Sequence, residues 1–197
     1  NIRRDMTFEK LSALKPAFDR SEEGTMTAGN STPLTDGAAA VLFATEDWAR
    51  KKNLPVLAYL TFVKVAAVDF IDNEGLLMAP AYAVSDMLKE ANLNLQDFDF
   101  YEIHEAFAAQ TIATLKAWQS EEFCRNKLGR NEPMGPIDLS RLNMKGGSIA
   151  MGHPFAATGA RIIGTLAKML GEKGSGRGLI SVCTAGGMGM SAIMEAA

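Results

Sequence analysis

β-rich runs and stretches of helical periodicity take turns along this chain, and that alternation restricts its fold more than any single motif. Strands joined through helices of about a dozen residues build a sheet with helices packed on it, so the chain reads as α/β. Phe8, Leu11, Leu14 and Phe18 recur at helical spacing, which predicts a short helix over Thr7 to Phe18 with Thr7 as its N-cap. Ser21 to Asp36 is rich in Gly, Ser, Thr, Asn and Pro and reads as a loop feeding the apolar run Ala38 to Ala44, a predicted buried strand. Thr45-Glu46-Asp47 caps a helix ending at Leu54-Pro55, and a β-rich run, Val56 to Phe70, follows. Pro80 suits the first turn of a helix reaching about Asn92. Beyond it come a strand over Phe98 to Ile103, an Ala-rich helix from about Glu105, another from Ser120, and a polar loop from Asn131 to Arg141. The last elements are a helix from about Ala156 to Leu170 and two β-rich segments, Gly178 to Cys183 and Met188 to Met194. With the turn Ala185-Gly186-Gly187 between them, those two segments suit an antiparallel hairpin. The one plausible boundary lies near Lys51 to Pro55, and no internal repeat interrupts the pattern.

Charge and length narrow the function classes. With 20 Lys+Arg against 23 Asp+Glu, for a net charge of −3, the chain lacks the clustered cations that binding to nucleic-acid phosphates requires. Its longest clean apolar run, Ala38 to Ala44, falls far short of the roughly 18 residues that cross a bilayer. The opening Asn1-Ile2-Arg3-Arg4-Asp5 has no apolar signal region behind it and no initiating Met. A cytosolic or organelle-matrix protein, cut from something longer, is expected. At 197 residues the chain buries enough surface to dispense with disulfides, and its two cysteines, Cys124 and Cys183, are not a disulfide framework.

Four segments place reactive or permissive residues where strands turn into helices or into one another, the usual place for sites in α/β proteins. They are Gly29-Asn30-Ser31-Thr32-Pro33-Leu34-Thr35-Asp36-Gly37, then Ile103-His104-Glu105-Ala106-Phe107, then Gly146 to Arg161, then Cys183-Thr184-Ala185-Gly186-Gly187-Met188-Gly189. Both histidines of the chain, His104 and His153, sit in these turns. Each alone is read equally as a histidine satisfied by a nearby carbonyl or as a functional group. His153 is favoured, because Gly152 and Pro154 fix a tight backbone immediately before a helix of small residues. A helix N-terminus stabilises an anion and discourages an imidazolium, so a neutral imidazole there can take a thiol proton or bind a carbonyl oxygen. Cys183 ends the apolar strand Leu179-Ile180-Ser181-Val182 before a turn of small residues, while Cys124 lies in a helix beside Phe123 and reads as a buried hydrophobe. No spacing pairs His and Cys as metal ligands, and neither common nucleotide cradle is present, so no metal is expected.

In this order the four segments resemble the C-terminal half of a thiolase of the type that carries His-Glu-Ala-Phe where others carry Asn-Glu-Ala-Phe. The motifs are Gly-Asn-Ser-Thr-Pro-Leu-Thr-Asp-Gly-Ala-Ala, His-Glu-Ala-Phe-Ala-Ala-Gln, Gly-His-Pro-Phe-Ala-Ala-Thr-Gly-Ala-Arg and Cys-Thr-Ala-Gly-Gly-Met-Gly. Within the family the chain is most similar to the subunits that work beside a hydratase/dehydrogenase subunit in fatty-acid β-oxidation. The resemblance implies a mixed sheet with helices on both faces, the C-terminal half of a layered αβαβα architecture. Residues 1–52 would be the end of the loop domain and the last strand and helix of the N-terminal domain, and residues 53–197 the C-terminal domain.

The activity implied is cleavage of a 3-ketoacyl-CoA by CoA to acetyl-CoA and a shortened acyl-CoA, or the reverse Claisen condensation, with no cofactor and with CoA as substrate. By the same resemblance His153 activates a nucleophilic Cys and helps hold the thioester oxygen, and Cys183 is the acid/base. His104 supports the oxyanion hole, usually through a water, and the Ala185 N–H contributes to a second one. Thr32, with Ser31, belongs to the loop that touches the pantetheine of CoA. A homo-oligomer is implied. The family's nucleophilic Cys belongs to the N-terminal half, and nothing in these residues matches its motif, so the chain would carry half of an active site. Two other readings stay open: a non-catalytic CoA-binding or dimerisation module, and a hydrolase in which Cys183 is the nucleophile.

Overall fold

The computed structural model describes residues 3–72 and 74–197; the opening Asn1-Ile2 lies outside the described residues. Four strands, β1 (Ala58–Ala67), β2 (Phe100–Ile103), β3 (Arg177–Thr184) and β4 (Met188–Ala196), form one sheet in the order β1-β4-β3-β2. β1 with β4 and β4 with β3 are antiparallel, whereas β3 with β2 is parallel, so the sheet is mixed and its last two strands are the expected hairpin.

Side chains alternate across this sheet, and helices cover both faces. Tyr101, Ile103, Leu179 and Ile193 point to one face, where they pack with Val84, Met87 and Leu88 of α3 (Ala79–Ala91), Trp118 of α4 (Ala108–Gln119) and Cys124 of α5 (Glu121–Asn126). Ile180, Ala192 and Met194 point to the other, against Ile162, Leu166, Met169 and Leu170 of α7 (Ala156–Lys173). Gly189 lets α3 lie directly on β4: a Cβ there would stand 2.5 Å from the Pro80 nitrogen.

Local signals place most helix ends. Thr45 accepts from the Trp48 N–H to cap α2 (Glu46–Lys51), Ser120 accepts from the Phe123 N–H to cap α5, and Asn92 in the left-handed conformation ends α3. Three expectations are corrected. The helix begun by Thr7 is α1 (Phe8–Ser12) and stops well before Phe18. Pro16 disfavours helical geometry in the residue before it, and the Ala17 N–H donates instead to the Met26 carbonyl at 2.7 Å. The run Ala38 to Ala44 is not a buried strand: among the described residues no strand pairs with it, and Leu42 and Phe43 are 72% and 57% exposed. Hydrophobicity makes a strand only where a neighbour supplies the ladder. The helix expected from Glu105 starts at Ala108, because another segment holds Phe107 extended and takes up the Ala106 carbonyl. The Thr32 N–H donates to the Ala106 carbonyl at 3.0 Å, and Ser31 bridges Phe107.

Candidate active site

The chain ends of β2 and β3 and the loop before α7 converge on one place. At the end of β2 the His104 N–H donates to the Ser181 carbonyl at 2.8 Å, prolonging the parallel ladder and burying the imidazole. Two residues beyond Ser181 on the same strand is Cys183, also buried, opposite Gly189. A cavity of about 10 Å³, the size of one water, is lined by His104, Thr111, Ser181 and Cys183 among others.

His153 is brought in by backbone geometry. Gly152, at φ +103°, turns the chain where a side chain would strike Thr35, and the His153 N–H donates to the Pro33 carbonyl at 2.9 Å. Pro154, Phe155, Ala156 and Ala157 then make a turn closed by the Ala157 N–H on the Pro154 carbonyl at 3.0 Å. The ring centroids of His104 and His153 lie 4.4 Å apart, and that of Phe155 lies 4.9 Å from His153. His153 Nδ1 is 2.7 Å from Thr158 Oγ1 in the first turn of α7. His104 Nδ1 is 2.9 Å from Ser148 Oγ in α6 (Ser148–Met151), and Arg161 Nη2 donates to that same hydroxyl at 2.9 Å.

The surroundings favour neutral groups. Burial, then the neighbouring His153 and Arg161, push the His104 imidazolium down to about 4. Burial and Arg161 hold His153 below its ordinary value as well. Burial raises the Cys183 thiol to about 11, against the backbone N–H groups of Cys183 and Ala106 that face its sulfur. At neutral pH the site therefore presents two imidazoles that can accept or donate a hydrogen bond and a thiol that holds its proton. A thiol in this state can donate its proton, and it is a weaker nucleophile than a thiolate.

Of the other sequence-predicted residues, Ala185 is exposed in the β3–β4 turn, next to Gly186 and Gly187 at positive φ. The loop bearing Ser31 and Thr32 crosses the site: Ser31 bridges Phe107 and Leu34 bridges His153, tying the first segment to the second and third. Thr32 Oγ1 donates to the Ser148 carbonyl at 2.8 Å, and Ser31 Oγ is buried with no partner among the described residues. Among the described residues no His, Cys, Asp and Glu gather as a group that could hold a metal ion.

Several site residues carry no signal that sequence reasoning used. Glu105, inside the second motif, accepts from the Ile149 N–H at 3.1 Å and from Asn143 Nδ2 at 2.7 Å, and its carboxylate fills the space a Cβ on Gly147 would need. Asn143 also accepts from the Ile103 N–H and donates to the Ile103 carbonyl, each at 2.9 Å, locking the end of β2. Glu102, Ser148 and Thr158 are buried near the two histidines, and the half-buried Arg161 turns its Nε and Nη1 inward beside them. Gly147 next to Gly146 was the available hint, since adjacent glycines mark a close approach by something.

Comparison with known proteins supplies the family. Residues 54–196 match the family model described as thiolase, C-terminal domain, and residues 1–47 match thiolase, N-terminal domain. The chain belongs to the thiolase family. It is 48% identical over 195 residues to 3-ketoacyl-CoA thiolases of Yersinia pestis and Yersinia pseudotuberculosis, covering 99% of this chain and 44% of theirs. Among solved structures, the thiolase fold is matched by the Bacillus anthracis acetyl-CoA acetyltransferase at TM-score 0.81 and 36% identity. The dimeric peroxisomal thiolase of Saccharomyces cerevisiae matches at TM-score 0.81 and 38% identity. Each comparison covers 99% of this chain and 44% of the other. The chain thus spans less than half the length of the thiolases it matches.

Proposed function

We propose that this chain supplies the acid/base half of a 3-ketoacyl-CoA thiolase. The observation that carries the reading is that the buried Cys183 lines one small cavity with His104, whose ring lies 4.4 Å from that of His153; burial favours the protonated thiol and the neutral imidazoles there. In thiolysis a thiolate, supplied by a companion segment, attacks the 3-keto carbon after His153 has taken its proton. The C2–C3 bond breaks, the fragment carrying C3 stays on that sulfur as a thioester, and the bonding pair becomes the enolate of acetyl-CoA. His104 and His153 hydrogen-bond the enolate oxygen, and preorganised donors of this kind lower such a barrier most effectively in a water-poor site. The Cys183 thiol gives its proton to the enolate carbon and acetyl-CoA leaves. As thiolate, Cys183 then takes the proton of incoming CoA, whose sulfur attacks the thioester to form the shortened acyl-CoA; the companion thiolate leaves and recovers its proton from His153.

CoA binding by the Ser31–Thr32 loop and an oxyanion contact from the Ala185 N–H belong to the same proposal, as do a homo-oligomer, a hydratase/dehydrogenase partner and a bacterial cytoplasmic or mitochondrial-matrix location. The test mixes the chain with a 3-ketoacyl-CoA and CoA, with and without a thiolase segment carrying the nucleophilic Cys, and follows substrate loss and intact mass. The expected result is turnover only with the companion segment, lost in Cys183→Ala and His153→Ala. A thioester adduct on Cys183 of the chain alone would make it the nucleophile and overturn the assignment. CoA binding without turnover under both conditions would favour a non-catalytic CoA-binding module.

A further inference from the structure

Behind His104 lies a chain of polar groups that the acid/base assignment leaves without a task. Ser148 Oγ, itself buried, lies between Arg161 Nη2 and His104 Nδ1, 2.9 Å from each. A guanidinium only donates, so it occupies one lone pair of the hydroxyl. The hydroxyl proton must then find an acceptor, and among the described residues the only one within reach is His104 Nδ1. Were Nδ1 to carry the ring proton instead, the buried Ser148 O–H would be left with nothing to bond to.

We propose that Arg161 and Ser148 are positioning residues that hold His104 as its Nε2–H tautomer, so that this histidine meets the substrate as a hydrogen-bond donor. Arg161 polarises the serine hydroxyl, Ser148 donates to Nδ1, and the remaining ring proton is fixed on the nitrogen turned away from the protein partner. Three features make this arrangement rigid. The Ser148 carbonyl accepts from Thr32, the neighbouring Ile149 N–H is taken by Glu105, and Arg161 sits on the long helix α7. Arg161 also has Nε and Nη1 buried without partners among the described residues, and the buried Glu102 carboxyl within its electrostatic reach. Its guanidinium therefore lies largely in the interior, with the Nη2–Ser148 bond as its directed contact. The same positive charge opposes protonation of both histidines, which keeps the donor neutral.

What the donor acts on rests on the thiolytic reading above, but the tautomer does not, and the test reads the tautomer. The chain has two histidines, so histidine labelled with nitrogen-15 gives four ring signals, and His153→Asn assigns them. Long-range proton–nitrogen correlation at neutral pH is expected to show Nε2 protonated and Nδ1 bare for His104. Ser148→Ala and Arg161→Met are each expected to lose that preference and give a mixture of tautomers, while Arg161→Lys, which keeps a donor, retains it. A His104 protonated on Nδ1 in the unaltered chain would overturn the proposal, as would an unchanged tautomer in either variant. Ser148→Ala carries the test should loss of the arginine unfold the chain. No turnover enters this readout, so failure of the thiolase assignment and failure of the relay are distinguishable.

Discussion

Cys183 and Phe155 show how far a single position can depart from its ordinary behaviour when the site demands it. The ordinary thiol is reactive because part of it is thiolate; raising its pKa to about 11 lowers that fraction about tenfold per unit. In a Cys124→Ala chain, where Cys183 is the one thiol left, alkylation by iodoacetamide at mildly alkaline pH is expected to run on the order of a hundredfold slower than for a small free thiol. The rate should still climb beyond pH 10; a plateau near pH 8 would contradict the protonated acid. Phe155, at φ +38° and ψ −102°, occupies a turn conformation that glycine takes freely and a Cβ resists. Such strain costs on the order of 1–3 kcal/mol. Its ring is 65% exposed, so little packing offsets that cost beyond the contact with His153. Phe155→Gly is therefore expected to stabilise the fold by about 1 kcal/mol in urea unfolding, after allowing for the entropy glycine adds to the unfolded chain. A loss of stability would mean that the ring's contact with His153 outweighs the strain.

Among the elements, those legible in the sequence were the ones whose signals are local. Thr7, Thr45 and Ser120 cap helices because the bonded N–H lies three residues on, and the Ala185-Gly186-Gly187 turn fixes the hairpin from within. Elements set by distant partners were misread. The start of α4 depends on Thr32 and Ser31, and Ala38 to Ala44 needs a neighbouring strand to become one. The site divides the same way. His104, His153 and Cys183 stood out through their turns and motifs, whereas Ser148 and Arg161, though inside the third segment, gave no sign of their contact with a histidine 44 residues upstream of Ser148. The contact of α3 with β4 is likewise invisible until folded, although Gly189 lies inside a recognised motif. A methyl group at Gly189 would meet the Pro80 ring and backbone at 2.5–2.6 Å, neither of which can swing aside. Overpacking of that kind costs typically 1–3 kcal/mol. Gly189→Ala is expected to destabilise the chain by about that amount in denaturant unfolding and, by moving β4, to perturb Cys183 opposite it. Stability equal to the unaltered chain would show that α3 can shift freely.

At the scale of the whole molecule, two buried groups oppose each other in pH dependence. Burial pushes the Glu102 carboxyl up to about 7, Arg161 only partly offsetting it, so its effect on stability is greatest below its unfolded pKa and is lost as pH rises towards 7. His104, pushed down to about 4, acts in the other direction: stability present above about 6.5 is lost as pH falls towards 4. Between about 4.5 and 6.5 the two slopes are opposed. Glu102→Gln removes one of them, so the stability of the variant relative to the unaltered chain is expected to grow with pH by up to about 1.4 kcal/mol per unit across that window and to level off above pH 7. A difference that stays constant with pH would place the Glu102 carboxyl in its ordinary range. The sheet face beside α7 raises a separate question of association. Val63 and Val65 on β1 lie opposite Ala192 and Met190 on β4, and Met188 continues the same side. α7 covers Ala192, yet Val65 is 66% exposed, and the apolar Leu42 and Phe43 are exposed as well. Soluble monomers seldom leave large contiguous apolar surface open to water, because it is removed from water by whatever binds there. The isolated chain is expected to self-associate at micromolar concentration in sedimentation velocity. Val65→Lys with Met190→Lys places like charges on adjacent strands of that face, where they repel any apolar partner, and should shift the population towards monomer with little change in the buried core. Association undiminished in this double variant would locate the contact elsewhere on the molecule.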